Sequence, residues 1–233
     1  AVKYNGFIPW DDDLDIAMIR SDYMKFVQLA PNILTSAYFL QSPYTDSRTP
    51  YYYTKLRLKG TKYIEYGNHR LNIEQGIYVD IYPIDYLPDD EILYKEKWME
   101  YQKWIRLYVL RQCPFRYAKS QSIKDVIKGS IRFGCSMLMR LVPLKFWVKK
   151  IDTIMTTYND VRTGKMGNYS YPVPNNYFDK VFPLVSVSFN GVSVKIPNGW
   201  EKHLYRRYGD WKELPPPEAR IGHKPYILEF GDF

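Results

Sequence analysis

Four carboxylates, Asp11, Asp12, Asp13 and Asp15, fall within five residues, and an apolar strand-like run begins directly behind them. Like charges this close repel, so folding them together is costly unless a cation neutralises them. Asp13 and Asp15 are two apart, which on a strand points both carboxylates to one face. Hard oxygen ligands in that arrangement suit Mg2+ or Mn2+, ions that keep waters and substrate phosphates as their remaining ligands. The other reading is a solvated acidic turn, but the flanks Phe7-Ile8-Pro9-Trp10 and Leu14-Asp15-Ile16-Ala17 are largely apolar. A further carboxylate, Asp80, interrupts the apolar run Tyr78–Tyr82. Aspartate is depleted inside strands, so Asp80 needs a partner: a metal beside Asp13 and Asp15, or a buried Lys or Arg.

The chain of 233 residues is long enough for one large domain or two small ones. Its net charge of +8 favours anionic partners: phosphorylated small molecules, nucleic acid or an anionic membrane surface. The 23 tyrosines suit either a sugar-facing surface or a tyrosine-biased core. Cys113 and Cys135 form no CxxC pair, so neither a structural zinc site nor a disulfide scaffold is expected, and a cytoplasmic setting is the default. No apolar run is long enough to span a bilayer, and neither a transmembrane helix nor a signal peptide is expected. The sequence opens at Ala1 without Met, as a piece of a longer protein would.

The pattern along the chain divides into three stretches. Residues 1–88 alternate strands with one helix. A strand is expected over Asp15–Met18, then a helix capped by Ser21 and stopped near Leu29 by Pro31 and Asn32. Further strands are expected at Ala37–Leu40, Tyr52–Leu58, Tyr63–Tyr66 and Gly76–Tyr82, with Gly60 turning a hairpin between two of them. Residues 89–160 are helical. Tyr94, Trp98, Tyr101, Ile105 and Tyr108 mark one helix face, Ile123, Ile127, Ile131 and Leu138 a second helix, and Lys145–Asn159 a third. In residues 161–233, Asn190-Gly191 turns a hairpin between Leu184–Phe189 and Val192–Ile196. A helix over Trp200–Tyr208 ends at Gly209, and Pro215, Pro216 and Pro217 keep the tail extended.

The segment GFIPWDDDLDIAM followed by a helix resembles the signature of the LicD family, which includes the fukutin-related proteins. The likeness continues through Tyr53-Thr54-Lys55-Leu56-Arg57-Leu58-Lys59-Gly60-Thr61 and Gly76–Asp85. It reaches Phe189-Asn190-Gly191, Ile196-Pro197, Tyr208-Gly209-Asp210-Trp211, Pro215-Pro216, Arg220 and His223. The WDDDLDI block is specific; the other blocks gain weight by their order. The resemblance implies an α+β fold: a nucleotidyltransferase-like mixed sheet over 1–88, a helical insertion over 89–160, and an α/β segment over 161–233 that completes the site. It implies transfer of a phosphorylated alcohol, most often phosphocholine, from a CDP-linked donor such as CDP-choline. The acceptor would be a cell-surface or lipid-linked glycan, such as lipopolysaccharide or teichoic acid. It makes Asp13, Asp15 and Asp80 the metal ligands and Asp11 a further acidic member. The family's Gly-containing phosphate turn would lie immediately upstream of Ala1-Val2.

On that basis Asp13, Asp15 and Asp80 would hold one or two divalent ions, Mg2+ or Mn2+, which would neutralise charge on the donor diphosphate, and a carboxylate, Asp80 for instance, would accept the proton of the attacking hydroxyl. Lys55 and Arg57 share a strand face and either hold phosphate oxygens or form a solvated basic face. Arg220 and His223 are further substrate-binding candidates; His223 follows Gly222 in a loop and either reaches the site or is merely hydrogen-bonded at the surface. His69 and His203 are assigned structural roles, and Trp10 and Trp211 core roles, with a place beside the pocket as the alternative. Lys124, Lys128 and Arg132 recur at four-residue steps beside the isoleucines. This is an amphipathic helix packed on the core, or one that lies on an anionic membrane, at the inner face for a cytoplasmic protein. Three other functions compete. A basic nucleic-acid-binding module lacks any known motif, so nucleic acid is not an expected partner. Glycoside hydrolysis needs opposed carboxylates, which neighbouring Asp residues on one strand are not. The third is an inactive family member that scaffolds.

Overall fold

The run Tyr78–Leu87 is rich in aromatic and β-branched residues, which suits the interior of a sheet, and it forms strand β5. The computed structural model describes residues 2–114, 123–170 and 177–232. The chain packs as two compact units: a first of Ala1–Asp13, Ile84–Met99 and Met155–His223, and a second of Leu14–Pro83, Glu100–Ile154 and Lys224–Phe233. Each unit draws on stretches far apart in sequence, and the helical stretch 89–160 contributes to both. Among the described residues the fold is mixed α/β, with five α-helices and three small sheets.

In the second unit, β1 (Asp15–Ile19) leads into α1 (Arg20–Ile33), and β2 (Tyr38–Gln41), β3 (Thr54–Leu58) and the first part of β5 follow in the order β2-β3-β5. Both pairings are antiparallel, and β1 adds to β5. The register places Leu56 between Leu40 and Val79, and Lys55 between Gln41 and Asp80. Alternation then puts Lys55 and Arg57 on one face and Thr54 and Leu56 on the other. On the latter side α1 lays Tyr23 and Val27 against Ile81, with Met18, Leu56 and Val79 packed around them, and the Tyr23 and Thr54 hydroxyls share a hydrogen bond of 2.7 Å.

Helix α1 departs from expectation at both ends. Ser21 lies inside it, and the N-cap is Ile19, with no side-chain cap. Pro31 does not stop the helix, which runs to Ile33. A proline removes one backbone donor, and in the last turn little helix remains to be disrupted. Gly60, at φ +83°, makes the expected turn, but no hairpin forms across it. Strand β3 is already paired on both edges, and β4 (Lys62–Ile64) pairs instead with β10 (Ile227–Glu229).

Helix α2 (Glu91–Gln112) starts at Asp90, whose carboxylate accepts from the Ile92 and Leu93 amides, and Tyr94, Tyr101 and Tyr108 are buried along it. With Tyr23, Tyr52 and Tyr169 also buried, six of the 23 tyrosines are core among the described residues. Helix α4 (Leu144–Met155) buries Trp147, Ile151 and Ile154. It stops short of Asn159, whose amide serves β5 instead, bonding the Tyr86 N–H and the Asp85 carboxylate in the first unit. Helix α3 (Ile123–Arg140) forms as expected, but its isoleucines do not face the core: Ile123, Ile127, Ile131 and Leu138 are 54–80% exposed. Cys113 and Cys135 form no disulfide.

In the first unit the end of β5 pairs with β6 (Lys165–Gly167), and β7 (Tyr177–Phe178) follows. The hairpin β8 (Val185–Phe189) and β9 (Val192–Ile196) turns at Asn190 and Gly191, both at positive φ, as a two-residue loop requires. Helix α5 (Trp200–Tyr208) ends at Gly209 with φ +66° and is tied to Asp179 by Lys202 and Arg206. The proline run is not wholly extended: Pro217–Ala219 closes a 3-10 turn, for which a proline at the first position is preset.

Gly76 sits where β5 approaches the end of β3, and a Cβ there would lie 2.2 Å from the Leu58 carbonyl oxygen. Gly76→Ala is expected to lower unfolding stability by about 1–3 kcal/mol in chemical denaturation. Gly67→Ala, which meets nothing within 4 Å, is the control and stays near wild type.

Candidate functional site

The acidic loop is clasped from both sides by residues of the far C-terminal stretch, all within the first unit. Gly6 is buried against the hairpin turn: a Cβ there would lie 2.0 Å from the Asn190 side-chain oxygen. The Asn190 amide donates to the Asn5 carbonyl at 2.6 Å, and Phe7 packs edge-on to Phe189. Trp10 meets Tyr4 on one edge and carries the Arg220 guanidinium 5.4 Å over its ring. Gly222 comes so close to the Trp10 carbonyl that a Cβ would stand 2.6 Å from it. That approach delivers His223, whose amide donates to Asp12 Oδ1 at 3.0 Å. Its Nδ1 lies 3.3 Å from the same oxygen and 3.9 Å from Asp13 Oδ2.

Asp11, Asp12 and His223 thereby offer ligand atoms within 4.8 Å of one another. Burial, then the adjoining Asp13 carboxylate, push the Asp11 carboxyl above its ordinary range, against the pull of His223. Burial and like charge both disfavour the ionised Asp11, a cost that a cation would offset, and these carboxylate oxygens are hard donors of the kind that Mg2+ and Mn2+ take. The donor set therefore fits the implied metal. Asp12 was assigned no role from sequence; the one signal for it was the Gly222-His223 pair, which shows that a histidine can approach but not which carboxylate it meets.

Beside this loop the first unit holds a cavity of about 550 Å3, lined among others by Tyr4, Trp10, Tyr208, Trp211, Asp210 and Glu213. Trp10 and Trp211 thus line a pocket rather than fill a core. Lys3 closes one side, donating to the Trp211 and Glu213 carbonyls at 2.8 and 2.7 Å. Arg220 is oriented by its Nε bond to the Pro215 carbonyl.

In the second unit Asp80 has the alternative partner, a buried lysine. Lys55 Nζ donates to both Asp80 oxygens at 2.7 and 3.0 Å, the two residues being 1% and 7% exposed. They are direct cross-strand neighbours, so the bond follows from the register. Burial lowers the Lys55 pKa and raises that of Asp80, while each charge holds the other in place. Tyr78 sets its ring 3.3 Å from the ammonium, with Tyr51 and Tyr53 also beside it. Tyr53 stacks on Tyr82, whose hydroxyl donates to Asp80 at 3.4 Å. Arg57 is buried as well, donating to the Gln41 side chain and the Gly76 carbonyl. The face expected to be either phosphate-binding or solvated is thus roofed by tyrosines. Asp15, exposed at the start of β1, contributes to raising the Tyr82 pKa, after burial and Asp80. Of the sequence candidates, Asp11, Asp13, Arg220 and His223 stand in the first unit, and Asp15, Lys55, Arg57 and Asp80 in the second. His69 Nδ1 lies 2.6 Å from the Tyr66 carbonyl.

The nucleotidyltransferase-domain model of the LicD/FKTN/FKRP family matches residues 1–119, and the chain belongs to that family. It is similar to the lipopolysaccharide cholinephosphotransferase LicD of Haemophilus influenzae, at 26% identity over 98% of the chain and 85% of that relative. No solved structure matches.

Removing one member of the buried pair strands the other charge. Lys55→Met is expected to cost about 3–5 kcal/mol in thermal or chemical unfolding, and the double variant Lys55→Met/Asp80→Leu to regain most of that. A double variant as unstable as the single would contradict the pairing.

Proposed function

We propose that this protein transfers phosphocholine from CDP-choline to a glycan hydroxyl, releasing CMP, with a divalent cation, Mg2+ or Mn2+, and on a nucleotidyltransferase-like fold. The observation that carries this reading is the aromatic cavity next to the acidic loop in the first unit, in a chain similar along almost its whole length to a lipopolysaccharide cholinephosphotransferase. A trimethylammonium group cannot donate hydrogen bonds. It is recognised by aromatic faces and carboxylates, the lining that Tyr4, Trp10, Tyr208, Trp211, Asp210 and Glu213 supply.

The reaction balances simply. The acceptor oxygen bonds to the choline-bearing phosphorus, the bond from that phosphorus to the CMP oxygen breaks, and the hydroxyl proton passes to a carboxylate. Asp80 is the acceptor we propose, with Lys55 stabilising its charged form. The bound cation would neutralise charge on the diphosphate. Asp13, Asp15 and Asp80 are the proposed ligands from the family resemblance, and Asp11, Asp12 and His223 offer further donors in the first unit. Arg220 and His223 hold the loop in shape, and in this reading both meet the anionic donor. Lys55 and Arg57 act in this reading as the buried support of Asp80.

The test is CMP release from CDP-choline by the purified protein with a lipopolysaccharide acceptor, with Mg2+ or Mn2+ and with chelator. Release is expected only with metal. It is abolished in Asp13→Asn, whose circular dichroism stays that of wild type. Trp211→Ala is expected to raise KM for CDP-choline roughly tenfold, the worth of an aromatic contact with a desolvated cation. Release from CDP-ribitol or CDP-glycerol but not CDP-choline would move the cargo, and metal-independent release would overturn the mechanism.

A further inference from the structure

Helix α3 is mounted inside out. Its polar side faces the protein: Ser136 is fully buried and donates to the Arg111 carbonyl at 3.0 Å, Arg132 Nε donates to the Cys113 carbonyl at 3.2 Å, and Arg140 Nε to the Arg111 carbonyl at 3.2 Å. Its apolar side faces outward, with Ile123, Ile127, Ile131 and Leu138 in line at helical spacing and Leu141 continuing the stripe at 80% exposed. Ordinary amphipathic helices bury this face. Here side chain-to-carbonyl bonds anchor the helix by its other side, so the apolar stripe remains outside with Lys124 and Lys128 exposed along its edge.

The charge around the stripe selects its occupant. Between residues 123 and 150 there are seven Lys and Arg against one Asp, and Lys145, Phe146 and Lys149 of α4 are exposed just beyond Leu141. A second copy of this chain would bring the same positive surface against itself. No helix among the described residues is long and apolar enough to cross a membrane. We propose that α3 lies in the interface of an anionic lipid bilayer, its isoleucine stripe among the acyl chains and its lysines at the phosphate level. An exposed apolar face, a high amphipathicity and a basic flank are the features that such interfacial helices share.

The test is co-sedimentation of the whole protein with vesicles of phosphatidylglycerol and phosphatidylcholine, against vesicles of phosphatidylcholine alone. Binding is expected to the first and to be weakened by salt. Lys124→Ala and Lys128→Ala should each reduce the partition coefficient about fivefold, the effect of one basic residue at an anionic surface. Ile127→Asp/Ile131→Asp should abolish binding with an unchanged melting curve, since both side chains are exposed. Should that pair disturb folding, the fluorescence of Ile131→Trp serves instead, blue-shifting on addition of the anionic vesicles. Absence of binding, an Ile131→Trp spectrum indifferent to lipid, or a dimer that forms in place of vesicle binding and dissociates in Ile127→Asp/Ile131→Asp would overturn the proposal.

Discussion

Lys55 and Asp80 meet across β3 and β5 at 2.7 Å in an almost dry setting, and the surrounding sheet depends on their register. Because side chains alternate, a one-residue slip of β3 would carry Lys55 to the α1 side, into the contact of Tyr23 and Val27 with Ile81, and leave Asp80 buried without its cation. The same register sets Arg57 to reach Gln41 and Gly76, and gathers Tyr51, Tyr53, Tyr78 and Tyr82 over the charges. Burying such a pair is costly, so this ion pair secures one arrangement of strands and holds a carboxylate at a fixed point of the sheet.

The first unit solves a different problem, holding three adjacent carboxylates, Asp11, Asp12 and Asp13, in a defined loop. Its answer is contact with residues about two hundred positions away. The hairpin turn grips Gly6 and Phe7, while Arg220, Gly222 and His223 close on Trp10, Asp12 and Asp13. The aromatic cavity lies beside this loop, with Trp10 held by Tyr4 and Arg220, and Trp211 by Trp200 and by the bond from Lys3 to its carbonyl. Loop, histidine and cavity therefore form one construction, and the proposed handling of a phosphorylated cation uses all of it.

Much of this was legible in the sequence where the signal is local. The WDDDLDI block, the strand around Asp80, the tyrosine stripe of α2 and the Asn190-Gly191 turn carry their own spacing and turn chemistry. What stayed hidden depends on partners distant in sequence. Periodicity showed that α3 has two faces but not which one meets the protein, since that is decided by the carbonyls of Arg111 and Cys113. Asp80 needed either a metal or a buried cation, and only the β3–β5 register names Lys55. Ser21 and Pro31 misled because cap and breaker preferences are worth little beside the packing of Tyr23 and Val27.

Family membership, a whole-length likeness to a cholinephosphotransferase and a cavity suited to a quaternary ammonium converge on one claim, that phosphocholine is delivered to a glycan. The most direct measurement follows choline labelled in its methyl groups from CDP-choline into lipopolysaccharide in the presence of Mg2+ or Mn2+. The account predicts label in the glycan, in amounts equal to the CMP released. CMP released with the label left in free phosphocholine would mean that water is the acceptor, and would contradict it.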